Sequence, residues 1–286
     1  MRVRKAIFPV GGLGTRFLPV TKSMPKEMLP ILNKPIIQYA FEEAKRAGIE
    51  EFIFITGRNK NAINNHFDHA YELESNLSDT NKNSELENIT GWLPQAGQIA
   101  FIRQQKPLGL GHAIWCARNF IQNEPFAIIL ADEMILDRGS FLKSMIDLCQ
   151  DKGEKANIVS VNQVDKSEVH KYGIVEIDNN NKILNMVEKP SIQDAASNLA
   201  INGRYVLQPE IFKYLEKQKA GSGGEIQLTD AMVSMAKDLP FYTKEYKGQR
   251  FDCGSMIGYV EANIAYGLKD PIIKDRLSNI LKKYCK

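Results

Sequence analysis

The sequence of 286 residues predicts an α/β fold in which a Rossmann-like, mostly parallel sheet carries helices on both faces. Two observations predict this fold. Through the first half of the chain, short apolar runs alternate with helical patterns, which is the order of parallel strands joined by crossover helices. After about residue 162, short strands and turns dominate the pattern. This change predicts a smaller β-rich part that forms the other wall of a cleft.

The first half contains predicted strands that are apolar and rich in β-branched residues. These strands are Val3–Val10, Glu51–Thr56, Ile99–Arg103, Phe126–Ala131 and Asn157–Val161. The predicted helices between them are Ile36–Ala47, Leu110–Phe120 and Phe141–Gln150. Tyr71–Gln98 is rich in Asn, Ser and Glu without a sustained period, which predicts an insertion with one or two short helices.

The second half is predicted to mix short strands with two helices and to end in a helical tail. The strands are Gly173–Ile177, Lys182–Val187 and Ile201–Leu207, and the helices are Pro209–Lys217 and Gln227–Lys237. From Ser255 onward the chain is helical, with a break at Pro271. The tail has an apolar stripe of Ile264, Leu268, Ile272, Ile273, Leu277, Ile280 and Leu281. We predict one domain over residues 1–254, and a tail over 255–286 that packs or oligomerises.

Composition and charge exclude several classes of protein. The net charge of +3 is too small, and its positive residues too dispersed, for nucleic-acid binding. No apolar stretch approaches the roughly 20 residues that span a bilayer, so we expect no membrane partner. The cysteines have no metal-like spacing and are too few for a disulfide scaffold: Cys116, Cys149, Cys253 and Cys285. We therefore expect a reduced, cytoplasmic protein.

The loop that follows the first strand carries the strongest functional signal. Its sequence is Gly11-Gly12-Leu13-Gly14-Thr15-Arg16, and Lys26 lies in a proline-rich segment shortly after it. Glycines let backbone N–H groups approach an anion, and the two basic side chains add positive charge, which suits a triphosphate. The P-loop string is absent, and the dinucleotide fingerprint fails because Pro19 stands where a helix should begin.

Two polar residues follow later strands at the same predicted edge of the sheet. Gln104 follows the strand that ends at Arg103, and Asp132 follows the strand that ends at Ala131. Ligands of such sheets bind beyond the carboxyl ends of the strands. The Gln104 amide matches the hydrogen-bonding edge of uracil, with an exposed polar residue beside a turn as the alternative. The Asp132 carboxylate suits Mg²⁺, with a turn or helix-cap aspartate as the alternative.

Gly11–Pro19, together with Pro25–Pro30, resembles the signature of the sugar-nucleotide pyrophosphorylases. The resemblance extends from about Val3 to about Tyr266, which is nearly the whole chain. It implies the nucleotide-diphospho-sugar transferase type of fold and an Mg²⁺-dependent reaction of UTP with glucose 1-phosphate. The products would be UDP-glucose and pyrophosphate. Because the attacking phosphate is already ionised, the direct in-line displacement needs no protein nucleophile.

The same resemblance implies roles for individual residues, with a nucleotide-binding half to about residue 162 and a sugar-phosphate-binding half over about 163–254. The catalytic residues would be Arg16, Lys26, Asp132 and Lys189. The nucleotide would be bound by Gly11, Gly12, Leu13, Gly14, Thr15, Glu27, Gln104 and Gly109. The sugar would be bound by Gly173, Glu188, Lys189 and Glu133, and the metal by Asp132 and Asp252.

The chain departs from the family's pattern at two places. Many relatives read Leu-Pro-Asp-Asp where this chain has Leu130-Ala131-Asp132-Glu133, so the first acid is kept and the second is longer. Relatives usually carry a small apolar residue where Asn202 stands. Nearby, Arg204 is open to a structural role.

Alternative functions remain open on the sequence. Gln104 alone does not separate uracil from thymine, so a thymidylyl- or cytidylyltransferase acting on a hexose 1-phosphate is the first alternative. A non-catalytic nucleotide-sugar-binding regulatory protein is the second, although Lys26, Asp132 and Lys189 are all present. A nicotinamide oxidoreductase would need an acid where Thr56-Gly57-Arg58 stands. The expected partners are UTP and glucose 1-phosphate, and the tail predicts a homo-oligomer, either a dimer or a tetramer.

Overall fold

The computed structural model describes residues 2–137, 140–153, 155–217 and 224–284. The strands are β1 Lys5–Pro9, β2 Pro30–Ile31, β3 Lys34–Pro35, β4 Glu51–Thr56, β5 Ile99–Arg103, β6 Phe126–Ile129, β7 Glu133–Ile135, β8 Asn157–Gln163, β9 Gly173–Ile177, β10 Ile183–Glu188, β11 Leu199–Leu207, β12 Phe241–Glu245 and β13 Arg250–Asp252. The helices are α1 Ile36–Arg46, α2 Asn61–His66, α3 Tyr71–Asp79, α4 Asn83–Thr90, α5 Leu110–Cys116, α6 Phe141–Lys152, α7 Ile211–Lys217, α8 Leu228–Met235, α9 Met256–Lys269 and α10 Lys274–Tyr284. Single 3-10 turns cover Thr15–Phe17, Val20–Lys22 and Lys26–Met28, and a longer one covers Lys166–Lys171.

Strand β1 lies inside the main sheet because its side chains are apolar on both faces. Strands β6, β1, β4 and β5 run parallel in that spatial order. Ala6 and Phe8 belong to a core cluster shared with α1 and α6, whereas Ile7 belongs to the cluster formed with α5, α7 and α8. A strand covered on both faces requires such a continuous apolar run. The loop that follows β1 therefore starts at the middle of the carboxyl edge.

Strand β11 joins the second half of the chain to the parallel strands. It is antiparallel to β6, β8 and β9, while β10 extends the sheet beyond β9 and β12 runs parallel to β8. Its register shifts between Ile201 and Tyr205, where Gly203 has a φ of +80°. A Cβ at Gly203 would lie 2.9 Å from Cγ of Glu133, so glycine is needed for both the backbone angle and the space. This bulge brings β11 against the turn that carries Asp132.

The predicted fold class is confirmed, since the central sheet is mixed and mostly parallel with helices on its faces. Each predicted strand is present, with ends displaced by at most two residues. The helix predicted over Leu110–Phe120 is wrong in its last turn and ends at Cys116, because Ala117 and Arg118 make the tighter hydrogen bonds of 3-10 turns. The insertion contains α3 and α4 as predicted, and the tail breaks between α9 and α10 at Pro271.

Several short elements have no counterpart in the sequence-based prediction. They are the hairpin of β2 and β3, helix α2, strand β12, and the antiparallel pair of β7 and β13. The strand predicted over Phe126–Ala131 ends at Ile129, since Ala131 and Asp132 form the turn into β7. In the part of the chain that the structure describes, every helix is too short or too polar to cross a lipid bilayer.

Candidate active site

A cavity of about 510 Å³ opens at the carboxyl end of β1. Its lining combines the opening loop, Gly11–Thr15, with Lys26, Gln104 and Asp132 from other segments. The loop turns at Gly14, whose φ is +68° and whose carbonyl accepts a hydrogen bond from Thr21 Oγ1 at 2.7 Å. The three stretches predicted to share one edge of the sheet therefore meet in one cavity.

Lys26 reaches across this cavity to Asp132. Its Nζ lies 2.5 Å from Oδ2, and the two side chains are 22% and 26% exposed. Burial alone would lower the pKa of Lys26, but the carboxylates of Asp132 and Glu27 raise it above its usual value. Burial likewise opposes the charge on Asp132, yet Lys26 holds the pKa of that carboxyl below its usual value. Both groups are charged at neutral pH, so a phosphate in the cavity would compete with Asp132 for the ammonium group.

Asp132 and Asp252 converge beside Gly254. A Cβ at position 254 would lie 2.9 Å from Oδ1 of Asp252 and 3.1 Å from Oδ2 of Asp132, so an oxygen of each acid lies beside this glycine. Arg16 Nη1 donates to the carbonyl of Gly254 at 3.4 Å. Within the described residues, no set of three or more His, Cys, Asp and Glu side chains could hold a metal. Two carboxylates fit Mg²⁺, which takes its remaining ligands from water and substrate phosphates.

Glu133 pairs with Arg250. Its Oε2 accepts from Nε at 2.7 Å, and the guanidinium lies 4.7 Å from the ring centroid of Tyr172. Burial raises the pKa of Glu133 to about 7 against the effect of Arg250, and Asp132 and Asp252 raise it further. The structure thus places this carboxylate in an ion pair within the site, and its contact with a sugar stays a prediction.

A second cavity, of about 730 Å³, lies on the other side of Asp132. Its lining includes Arg16, Asp132, Glu133, Tyr172, Lys189, Arg250 and Asp252. The two cavities share Leu130 and Asp132. A ligand long enough to occupy both cavities would therefore pass directly over Asp132.

The predicted sugar-side residues lie together at the ends of β9 and β10. Glu188 stands opposite Gly173, and its Oε2 accepts from Thr229 Oγ1 at 2.7 Å. Lys189 follows with a φ of +47°, and its N–H donates to the carbonyl of Tyr172 at 3.0 Å. The ammonium group of Lys189 lies 3.7 Å from Oε1 of Glu188 and is half exposed, so it is available to an anion.

Gln104 uses half of its amide inside the protein. Its Nε2 donates to the carbonyl of Gly109 at 3.1 Å and lies 2.9 Å from Nδ1 of His112. Burial lowers the pKa of His112, so its ring is neutral and Nδ1 can accept. The Oε1 atom, 3.1 Å from the Cβ position of Gly11, is left for a ligand. Gly109 has a φ of +101°, and a Cβ there would lie 2.7 Å from Cβ of Glu225. The backbone angle and the close packing of the segment around Glu225 therefore both require a glycine at this position.

Comparisons with known proteins identify the family. The family model described as nucleotidyl transferase matches residues 5–267. The chain belongs to this family. A UTP–glucose-1-phosphate uridylyltransferase from Staphylococcus haemolyticus is 46% identical over 286 residues, which cover 99% of this chain and 98% of the relative.

Solved structures of similar proteins share the whole architecture. A UTP-bound UGPase from Acinetobacter baumannii has a TM-score of 0.89 at 37% identity, covering 98% of each chain. A UDP-glucose pyrophosphorylase complexed with UDP-glucose has a TM-score of 0.82 at 43% identity, covering 94% of this chain and 100% of that one. The chain is accordingly a nucleotidyl transferase, and enzymes of this family generally use a divalent metal.

The nucleotidyl transferase site contains residues that sequence reasoning missed. Thr229 holds Glu188, Arg250 holds Glu133, and Lys60 forms a buried ion pair with Glu27 at 2.8 Å. These partners are 41, 117 and 33 residues apart in sequence. No local motif in the sequence joins them.

Proposed function

We propose that this nucleotidyl transferase transfers UMP from UTP to glucose 1-phosphate and releases pyrophosphate, which leaves UDP-glucose as the other product. The observation that carries the proposal is the position of Asp132. It is shared by two cavities, one lined by the glycine-rich loop and Lys26, the other by Lys189. The relatives named for UTP, glucose 1-phosphate and UDP-glucose support this choice of substrates.

In this reaction the protein has to position the two substrates and neutralise their negative charge. A phosphate oxygen of glucose 1-phosphate forms a bond to the α-phosphorus of UTP, and the bond to the bridging oxygen breaks as pyrophosphate leaves. Lys26 and Arg16 neutralise the triphosphate, while Lys189 holds the phosphate of the sugar. Because the two substrates are both anions, bringing them together in line is the main barrier that these cations lower.

Glucose and uracil would be held by groups on opposite sides of this centre. Glu188, oriented by Thr229, accepts hydrogen bonds from glucose hydroxyls. The free Oε1 of Gln104 accepts from the N3–H of uracil. N–H groups of the loop Gly11–Thr15 face the triphosphate, as glycine-rich loops do with anions.

We infer that the metal is Mg²⁺, held by Asp132 and Asp252 together with phosphate oxygens. Both acids offer the hard oxygen ligands that this ion prefers, and an oxygen of each lies beside Gly254. When bound, the ion would neutralise charge on the phosphates.

Pyrophosphate release tests the proposal. It is measured with UTP, dTTP, CTP and ATP, each with glucose 1-phosphate, in the presence and absence of Mg²⁺. We expect release with UTP that depends on the ion. A preference for dTTP or CTP would replace uridylyl transfer by one of the alternatives, and no release with any nucleotide would refute glucose 1-phosphate as the acceptor.

Replacement of Lys26 tests the assignment of the catalytic cation. Lys26→Ala should lower kcat by roughly 10²–10³, the usual loss when one charge-stabilising group is removed. Lys22→Ala is the matched control, because Lys22 lies in the same loop but is exposed. Circular dichroism and thermal unfolding check that both variants fold. Native turnover by Lys26→Ala would remove this residue from the mechanism.

We also infer that the protein is a cytoplasmic homo-oligomer. The described cysteines, Cys116, Cys149 and Cys253, are all free thiols, which supports a reducing compartment, while Cys285 lies outside the described residues. Exposed apolar side chains on the C-terminal helices support self-association, among them Ile257 and Ile272 at 77% and 89% exposure. Light scattering by the native chain tests the oligomer.

A further inference from the structure

A buried ion pair lies directly beneath the nucleotide cavity. Lys60 Nζ is 2.8 Å from Oε2 of Glu27, and the two side chains are 7% and 2% exposed. Glu27 lies in the wall of that cavity, but only 2% of its side chain is exposed. Its neighbour in sequence, Lys26, is the residue that spans the cavity to Asp132.

A contribution to folding stability does not by itself explain a buried ion pair. Removing two charges from water costs several kcal/mol per ion, and well-packed apolar residues often serve the folded state as well or better. A hydrogen-bonded pair does something that an apolar contact does not, because it fixes the direction of both side chains.

Glu27 and Lys26 share one 3-10 turn, Lys26–Met28, between two prolines. Its hydrogen bonds run from Met28 N–H to Pro25 O at 2.9 Å and from Leu29 N–H to Lys26 O at 3.1 Å. The turn is a single one, and such short segments are held mainly by what their side chains contact. Glu27 points inward to Lys60 while Lys26 points to Asp132, so fixing one orients the other.

Lys60 supplies a rigid attachment. It immediately precedes α2, its carbonyl accepts from Ile63 N–H at 3.0 Å, and Ile63 is fully buried in the core. The segment starts from the end of β4, where a Cβ at Gly57 would lie 2.9 Å from the carbonyl of Gly11. The attachment point is thus tied to the same sheet edge that carries the opening loop.

We propose that Glu27 and Lys60 are positioning residues that hold Lys26 in place over Asp132. The proposal rests on the proposed function, since it assigns Lys26 to the transition state of nucleotidyl transfer. Glu27 then acts through Lys26 instead of binding the nucleotide. A shift of about 1 Å in a reacting group can cost on the order of 10²-fold in rate, so a buried pair is a sensible device here.

The test replaces the pair by apolar residues, which removes its direction without leaving a lone buried charge. Glu27→Leu/Lys60→Met should fold and lower kcat by about 10–100-fold. The control is Lys5→Met/Glu124→Leu, a second pair at 3.3 Å whose side chains are 6% and 14% exposed and whose lysine begins β1, far from the cavity. This control should keep the native kcat.

A double-mutant cycle with Lys26→Ala distinguishes a positioning role of the pair from a merely structural one. If the pair acts through Lys26, adding Glu27→Leu/Lys60→Met to Lys26→Ala should cause no further loss of kcat. An equal loss in both backgrounds would overturn the proposal, since it would mean an independent contact. Native kcat in Glu27→Leu/Lys60→Met would overturn it too.

A conservative variant keeps the test decisive if the apolar pair does not fold. Lys60→Met keeps a side chain of similar length but removes the donor to Glu27, whose carboxyl can then take up a proton, so kcat should fall while the KM for glucose 1-phosphate stays unchanged. Native kcat for Lys60→Met would again overturn the proposal. All variants are compared with the native enzyme on the same substrates. Inactivity of the native enzyme with UTP refutes the proposed function, whereas a variant as active as the native enzyme refutes only the positioning role.

Discussion

Asn202 is a fully buried residue of β11 whose amide has no hydrogen-bond partner among the residues described, at either its nitrogen or its oxygen. It lies at the bulge next to Gly203, and Ser160, on the facing part of β8, is equally buried and unpaired. Leaving buried polar groups without partners costs about 1–3 kcal/mol. We therefore expect Asn202→Val to raise the free energy of unfolding by about 1–3 kcal/mol, as measured by urea denaturation.

A matched control exists in Asn157, which is also fully buried but has both ends of its amide paired. Its Oδ1 accepts from Gln208 N–H at 2.8 Å and its Nδ2 donates to Pro240 O at 3.2 Å. Asn157→Val should lower the free energy of unfolding. If Asn202→Val is destabilised as well, Asn202 has a partner in solution, and the expectation fails.

At the residue scale, the sequence could predict site residues that lie in a recognisable local motif. It could not predict the distant residues that hold those side chains in place. Gly14 and Lys26 were found because a loop after an apolar strand is recognisable from adjacent letters. Lys60 and Thr229 were not, because each is an ordinary residue until the fold brings a carboxylate to it. Gln104 shows the limit within a single side chain, since its nitrogen is already used by Gly109.

At the element scale, the docking of the insertion predicts a dependence of stability on pH. His66, at the end of α2, stacks on Trp92 with centroids 4.8 Å apart, and its Nε2 lies 3.1 Å from Gln38 Oε1. Burial lowers the pKa of His66 to about 4, whereas an unfolded histidine titrates near 6.5. Between these values the unfolded chain binds a proton that the folded chain does not, so stability falls as pH decreases from about 6.5 to about 4.

Substitution of the histidine should remove this slope. Between pH 7 and pH 5 the native protein should lose about 2 kcal/mol more than His66→Phe, in which the ring still stacks but does not titrate. Asn65→Ala is the control, because Asn65 is exposed on the same helix and carries no titratable group, so this change should leave the slope unchanged. Urea denaturation at the two pH values measures the difference. Equal slopes for the native protein and His66→Phe would contradict it.

Four of the elements that sequence reasoning missed, strands β2, β3, β7 and β13, are too short to show a period. Strands β7 and β13 have three residues each, yet their pairing sets Glu133 opposite Asp252 and so brings Asp132, the residue before Glu133, to Asp252. A pattern of alternation needs four or more residues to be visible. Asp132, Glu133 and Asp252 were recognised as candidate site residues, but the strand pair that brings them together was not.

At the scale of the whole molecule, alternation of strands and helices was enough to predict the class of fold but not the route of β11. This strand runs antiparallel between β6 and β8. It pairs Val206 with Ala127 and Leu207 with Phe126 of β6, residues that are up to 81 positions apart in sequence. Strand direction leaves no trace in periodicity, because both kinds of pairing have the same period of two. The direction of β11 is set only by its pairing with β6, which joins the second half of the chain to the first.

The tail predicts how whole molecules associate. Gly267 of α9 packs on Leu277 of α10, which leaves Ile272 and Ile280 of the predicted stripe on the outside at 89% and 41% exposure. Several exposed apolar side chains on one helical pair are typical of an interface between proteins. We expect the native chain, of 32.3 kDa, to behave as a dimer or tetramer in light scattering. Ile272→Lys/Ile280→Lys should give monomers, because it would bury two charges in the interface. Leu184→Lys, at an exposed leucine of β10, should not. A native monomer at micromolar concentration would contradict self-association, and dissociation by Leu184→Lys alone would move the interface to the edge of the sheet.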